Sequence, residues 1–451
     1  MNRHRLLLAL GILILLLLAP IAFLGDLGVH ARSLLVLWLA AHGCYLAAAW
    51  LVVRGESLPE PSSPSAGVGK RRLSLGVVLG LGLAMRLILI PTTPTLSEDV
   101  YRYLWDGRLV AHGLNPYTHA PDDPSLAPFH DRLFASLNHA HVRTIYPPAA
   151  QFLFSAVARV SATPQAFKIA LLPIEGALWI ALLALLRRRS LSEERMLLLA
   201  WSPVVVIESY GSGHLDLAAA SLLVIALALL EARRAISAGA AFALSILIKY
   251  TPLLLVPYLA RKRQAAVLAV AAAVILLLFF PFAGAGNSLW TGLRTYLAHW
   301  DFNGALYPLL RARIADDREV RLLLAACLGV AGVWISLRAR SVPGAAAALW
   351  VAYLLTSPTV FPWYVVPLVA LAPLCPDPGT LLFSGLVALS YVLLPIYRMS
   401  GAWRLPDWVP WVEYGGWGVV ALGIWLARLA GRPANGAQAR RAACVSESPP
   451  T

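Results

Sequence analysis

Apolar runs recur along almost the whole chain, at about 6–24, 33–53, 73–93, 146–162, 165–186, 194–210, 214–231, 235–260, 265–283, 319–337, 343–358, 360–374, 378–396 and 411–430. Runs of about 20 apolar residues are long enough to cross a hydrocarbon core of ~30 Å. Within that core a backbone has no water to bond, so each run must satisfy its own polar groups as a helix. Composition agrees: 59% of the 451 residues are hydrophobic and only 13% are charged, roughly half the charged share of a soluble domain. The expected fold is an all-α polytopic transmembrane helix bundle of about 11–13 spans.

The net charge of +14 does not point to nucleic acid. Basic residues cluster at the ends of apolar runs, as cytoplasmic loops require: Lys70-Arg71-Arg72, Arg187-Arg188-Arg189, Arg233-Arg234, Arg261-Lys262-Arg263 and Arg338/Arg340. Cys44, Cys327, Cys375 and Cys444 show no paired spacing, which indicates neither a disulfide framework nor a zinc site. The first run follows Asn2-Arg3-His4-Arg5, and a second follows it without a clear cleavage site, so the first is expected to be a retained span. The chain divides into an N-terminal transmembrane hairpin (1–53), a Pro/Ser/Gly cytoplasmic linker (54–72), a main transmembrane module (73–375), C-terminal transmembrane helices (376–430) and a disordered polar tail (431–451).

With the basic clusters inside, Ser357 to Trp363, the loop 284–318 and Gly211 to Asp216 fall on the outer side. Arg233/Arg234 and Arg261 to Arg263 then share one side, so 235–260 reads as a hairpin of two half-helices broken near "IKYTP", where Pro252 disfavours helix at Thr251. Counting forward from a cytoplasmic N-terminus also puts Pro94 to Tyr146 outside. The two counts collide at 146–162: either this run re-enters or one of the assigned spans is wrong.

On that outer side lies "LSEDVYRYLWDGRLVAHGLNPY", Leu96 to Tyr117, which is far more polar than its surroundings. Ser97 can cap a helix whose first turn carries Glu98 and Asp99. Glu98 and Arg102 are spaced to pair, Asp99 and Asp106 share a face, and Val100 and Leu104 can lie on lipid. One explanation is an interfacial helix whose charges pair among themselves and whose Tyr101, Tyr103 and Trp105 form an aromatic belt. The outer loop is longer than a connection needs, however, and long ordered loops are often functional. "ESYGSGHLD" places Glu208, His214 and Asp216 at the next outer turn, and "LIKYTP" sets Lys249 in the break of an apolar hairpin. "HWDFNGALYPLLR" and "SPTVFPWYVVPL" complete the polar outer features. Singly, each can be a snorkelling or interfacial residue.

Together, "SEDVYRYLWDGRLVAHGLNPY", "IYPP", "ESYGSGHLD", "LIKYTPLLLVP" and "SPTVFPWY" resemble the GT-C class of integral membrane glycosyltransferases. Within that class they are most similar to bacterial polyprenol-phosphate-mannose-dependent mannosyltransferases. The resemblance implies an acidic pair in the first outer loop with one member as base, which corresponds to Asp99 with Glu98 beside it. Two positions depart from the pattern: the pair is Glu-Asp where relatives often have Asp-Asp, and Phe361 stands where histidine is expected before "PWY".

Sugar transfer from a lipid phosphate needs a base at the acceptor hydroxyl and cations where charge develops on the departing phosphate. Asp99 fits the base; Arg102, Arg108 and Lys249 are the available phosphate partners. Trp105, Tyr117, Trp300 and Trp363 could stack on sugar faces, Glu208, His214 and Asp216 could order the acceptor or support the base, and Asn303 could bind the acceptor or sugar. No cofactor is expected, and no spacing demands a metal, although Asp99 with Asp216 or Glu208 could bind one. The expected partners are a polyprenyl-phosphate-linked sugar, a glycan or glycolipid acceptor and the bilayer of a bacterial cytoplasmic membrane, with the site facing outward. The competing function is a transporter or lipid flippase, which would favour internal repeats and midplane polar groups; the halves show no repeat, and the polar groups gather at one face.

Overall fold

The computed structural model describes residues 2–55 and 73–429. Lys70-Arg71-Arg72, all of the 54–72 linker beyond Gly55, the 431–451 tail and Cys444 lie outside the described residues. The described chain is helical and contains no strand; its β-type pairing is confined to isolated bridges from Phe302 and Asn303 to Thr359. Among the described residues, six helices are long and apolar enough to cross a membrane, and a seventh crossing is possible if Pro203–Gly211 and Asp216–Glu231, bent by 120°, form one span. Other apolar runs of the sequence are shorter helices or pairs broken at proline. The protein is a multi-pass helical membrane bundle.

Helix α1 (Arg3–Leu18) packs on α2 (Ala31–Gly55), and Ser74 caps α3 (Leu75–Leu89) through the Val77 N–H. Helix α4 (Asp99–Ala111) carries the polar motif, and α5 (Pro148–Val160) lies against it. Gly107 permits that contact, because a Cβ there would stand 2.3 Å from the Phe154 backbone. At 13 residues α5 is about 20 Å long, too short for a ~30 Å core. The next helix, α6 (Pro164–Arg188), starts beside Pro91 and Thr92, whose carbonyls accept from Gln165. The short α5 and the return of the chain to Pro91 and Thr92 fit a run 146–162 that stays on one side, which would reconcile the two topological counts.

Val100 and Leu104 do not face lipid as expected; they are 1% and 0% exposed. The cause is α5 and α6, which cover α4 on the side that an isolated interfacial helix would turn to the bilayer.

Beyond the bent pair, whose second half is α7 (Asp216–Glu231), α8 (Ala235–Ile248) runs to Lys249, where the backbone becomes extended. A 3-10 turn (Thr251–Leu255) and a short helix (Val256–Arg261) return the chain, giving the broken hairpin expected at "IKYTP".

The two ends of the bundle differ in chemistry. At one, Arg3 pairs with Glu194, Arg189 with Glu231, and Arg261 donates to the Leu337 and Ala339 carbonyls. At the other, the Leu27 N–H donates to Thr95 Oγ1 and Arg398 pairs with Asp26. The described basic clusters occupy the first end. The break at Gly211–Asp216, the tip at Lys249 and the start of α4 occupy the second.

Candidate active site

Asp99 is the first residue of α4, and its N–H donates to Ser97 Oγ at 3.2 Å. Ser97 thus serves the first turn as expected, one position earlier than the formal cap, Glu98. The Asp99 side chain is 28% exposed. Burial of its carboxyl pushes its pKa up to about 7; Lys249 and Arg102 oppose the rise, while Glu98 and Asp216 add to it.

The bend opposite Asp99 is built from Pro203 at a helix start, a π-helical turn (Ile207–Gly211) and Gly213 at φ +81. A side chain at Gly213 would be strained by that φ and would meet Val100 Cγ2 at 3.1 Å. The bend returns the His214 N–H to the Glu208 carbonyl at 2.9 Å. It also puts the ring between two carboxylates: Nδ1 is 3.7 Å from Asp99 Oδ2, and Nε2 is 3.7 Å from Glu208 Oε2. Both gaps exceed a hydrogen bond. Glu208, fully buried, is anchored through its other oxygen by the Tyr391 hydroxyl at 2.7 Å.

His214 lies flat on Trp363, with ring centroids 3.6 Å apart and planes 15° from parallel. The stack continues through Phe361 (4.5 Å, 5°) to Phe302 (4.7 Å, 21°). Where histidine was expected, Phe361 is therefore a plate that supports Trp363. Lys249 Nζ donates to Asp216 Oδ1 and sits 4.0 Å above the Tyr364 ring, whose hydroxyl meets that of Tyr296 at 2.5 Å.

The tertiary fold thus brings Asp99, Glu208, His214, Asp216, Lys249 and Trp363 into one centre. Several of its buried polar atoms have no hydrogen-bond partner among the described residues: both His214 ring nitrogens, Glu208 Oε2, Asp216 Oδ2 and Arg102 Nη2. Leaving such an atom unpaired costs about 1–3 kcal/mol, so these are the atoms that a hydroxyl-rich, anionic ligand would satisfy. Among the described residues no three His, Cys, Asp or Glu side chains group as a metal site, and Lys249 supplies the cation beside Asp216.

The other expected site residues lie differently. Arg102 does not pair with Glu98; it pairs with Asp106 at 2.8 Å and donates to the Val142 carbonyl, because the returning loop covers this side of α4. Glu98 is exposed and receives only a 3.4 Å contact from Asn138. Arg108 is held by Asp131 and the Phe129 carbonyl, over the Trp105 ring. Trp105, 0% exposed, forms the loop's own small core with Leu109 and Leu126. Tyr117 is 1% exposed and donates to the Tyr146 carbonyl. Neither ring offers an open face to a sugar, which corrects that expectation for both. Trp300 is half-buried and packs on His139 and Tyr296. Asn303, at φ 51, gives its amide to Glu413 at 2.7 Å, and its carbonyl accepts from Tyr414.

Sequence reasoning missed Tyr391, Tyr364 and Glu413. Glu413 had a readable signal, a single carboxylate in an apolar run, and Tyr364 closes "SPTVFPWY"; Tyr391 had none, since a buried tyrosine in an apolar run is unremarkable until its partner is known.

A family model described as alpha-(1->6)-mannopyranosyltransferase, N-terminal domain, matches residues 13–265, more than half of the chain. The match includes Asp99, Glu208, His214, Asp216 and Lys249, and ends before Asn303 and Trp363. No curated protein matches the chain at a significant level.

Proposed function

The chain belongs to the alpha-(1->6)-mannopyranosyltransferase family, as a multi-pass membrane mannosyltransferase of the bacterial GT-C type, and on that premise we propose that it draws mannose from a polyprenyl-phosphate carrier. The acceptor is a mannose-bearing glycan or glycolipid on the extracytoplasmic side of the cytoplasmic membrane. In the step proposed, the acceptor hydroxyl oxygen bonds to the anomeric carbon while the bond from that carbon to the phosphate oxygen breaks. The hydroxyl proton passes to Asp99, and the departing phosphate carries away the bonding pair.

The observation that carries this reading is the convergence of a half-buried, open carboxylate and an ammonium at the tip of a broken intramembrane hairpin. A base must reach the hydroxyl whose proton it takes, and Asp99 is the centre's partly exposed carboxylate while Glu208 and Asp216 are closed in. Charge building on the phosphate needs a fixed cation nearby. Lys249 is 23% exposed, and its hairpin lets a phosphate approach while a polyprenyl tail stays in the bilayer. Arg102, with one unpartnered Nη2, is the second candidate. His214 and Glu208 are proposed to order the acceptor and support Asp99, with Trp363 fixing the imidazole plane.

A transporter or flippase is not favoured: the family is one of transferases, and the polar groups lie at one end of the bundle. The test is transfer in vitro, using membranes that contain the protein, radiolabelled polyprenyl-phosphate mannose and an alkyl α-mannoside. Label should appear on the mannoside. Consumption of neither substrate, with the protein present and folded, would overturn the donor assignment.

A further inference from the structure

The bundle carries a second polar network, inside the membrane and behind the centre just described. Arg86 of α3, 0% exposed, forms a two-pronged pair with Glu175 of α6, 2% exposed, at 2.8 and 2.6 Å. Arg86 also donates to the Gly82 and Ala200 carbonyls. Glu175 accepts further from Trp179 at 3.1 Å and from the Tyr210 hydroxyl at 2.6 Å. Two turns earlier on the same face of α6, Lys168 is fully buried. Its ammonium donates to the Thr92 carbonyl at 2.7 Å, Thr92 Oγ1 at 3.1 Å and the Leu89 carbonyl at 3.4 Å.

These contacts reach both arms of the centre. Tyr210 belongs to the π-helical turn that carries Glu208 and leads to His214. Thr92 lies in the segment that leaves α3 and delivers Asp99, and the Lys168 cation faces the carbonyl end of α3, where it opposes the helix dipole. The Lys168 stem also lies 3.8 Å from where a Cβ on Gly213 would stand, beneath the bend.

Stability alone does not account for this arrangement. A buried ion pair gains little or nothing over apolar residues of the same shape, because desolvation offsets its attraction. A π-turn is a rare element that tends to occur at functional sites. We propose that Arg86, Glu175, Tyr210 and Lys168 are positioning residues: through α6 they fix the two arms against each other and so set the spacing of Asp99, His214 and Glu208. The proposal rests on the reading of Asp99 as the base.

The test uses the full chain in nanodiscs, with polyprenyl-phosphate mannose and an alkyl α-mannoside. Tyr210→Phe removes one hydroxyl and keeps the ring. We expect kcat to fall at least tenfold with KM for both substrates unchanged, and the melting temperature to stay close to wild type. Glu175→Gln keeps one oxygen, which can still accept from Tyr210 and Arg86 Nε, and should recover part of the kcat that Glu175→Ala loses. Unchanged kcat in Tyr210→Phe would overturn the proposal. So would losses of kcat across Tyr210→Phe, Glu175→Gln, Glu175→Ala and Lys168→Met that merely follow losses of melting temperature. Asp99→Asn in the same nanodiscs separates the two ideas. If it transfers normally, the reading of the site falls; if it is inactive while Tyr210→Phe is normal, only the positioning role falls.

Discussion

The Nδ1 of His214 lies 3.7 Å from Oδ2 of Asp99, although 115 positions separate the two residues in the chain. Neither His214 nitrogen has a hydrogen-bond partner among the described residues, so the Asp99 carboxylate remains available to a substrate hydroxyl.

Asp99→Asn keeps the size of the side chain and removes the proton-accepting charge. Transfer should fall by at least ~10²-fold with normal expression. Glu98→Gln should be much milder, because Glu98 is exposed and meets only Asn138. Initial rates at saturating donor would decide. Equal, small losses from both would make the acidic pair structural.

The pH dependence follows from burial of Asp99. A base must be deprotonated, and this carboxyl titrates at about 7 instead of its ordinary 3.8, so transfer should rise with pH through that value and then level off. The sign for stability is opposite. Because the folded-state pKa lies above the unfolded one, the contribution of Asp99 to stability is present below pH 3.8 and is lost as pH rises through about 7. At pH 8 Asp99→Asn should therefore melt no lower than wild type. A rate profile flat between pH 5 and 8 would count against Asp99 as the titrating base.

Lys249 requires a double variant. Lys249 pairs with Asp216, which is 1% exposed, so replacing the lysine alone leaves a buried carboxylate without its cation. Removing one partner of a fully buried pair costs ~3–5 kcal/mol, and the partial exposure of Lys249 should bring the loss below that range. Lys249→Met alone should melt lower, and Lys249→Met/Asp216→Asn should recover. Affinity for polyprenyl-phosphate mannose should stay low in both. Wild-type affinity in the recovered double variant would put the phosphate site elsewhere.

Orientation can be read by thiol labelling in a cysteine-free background. Glu98→Cys and His299→Cys, both at exposed positions, should react with an impermeant reagent on intact cells. Arg234→Cys and Arg340→Cys, also exposed, should react only after permeabilisation. The reverse pattern would place the centre on the cytoplasmic side and remove the proposed donor and acceptor with it.

What the sequence determined by itself is what local chemistry controls. Apolar length forces a membrane bundle, since an unpaired backbone cannot enter hydrocarbon. Proline after Lys249 breaks a helix wherever the hairpin lies. The polarity of "SEDVYRYLWDGR" and "ESYGSGHLD" sets them apart from the apolar runs, and the resemblance those motifs carry leads to the family that the comparison shows.

Only the tertiary structure decided which polar groups meet. Arg102 had three carboxylates within helical reach, Glu98, Asp99 and Asp106, and took Asp106, because the loop that returns over α4 buries that side and supplies the Val142 carbonyl. Trp363 and Trp105 are the same residue type in segments between apolar runs, yet one lies on His214 and the other closes a loop core. Arg86 and Glu175, 89 positions apart, form one pair only because the folded bundle brings α3 and α6 within reach of these two long side chains. Such choices depend on helix packing and on the shared desolvation of both partners, quantities that belong to pairs of distant segments and that no single segment encodes.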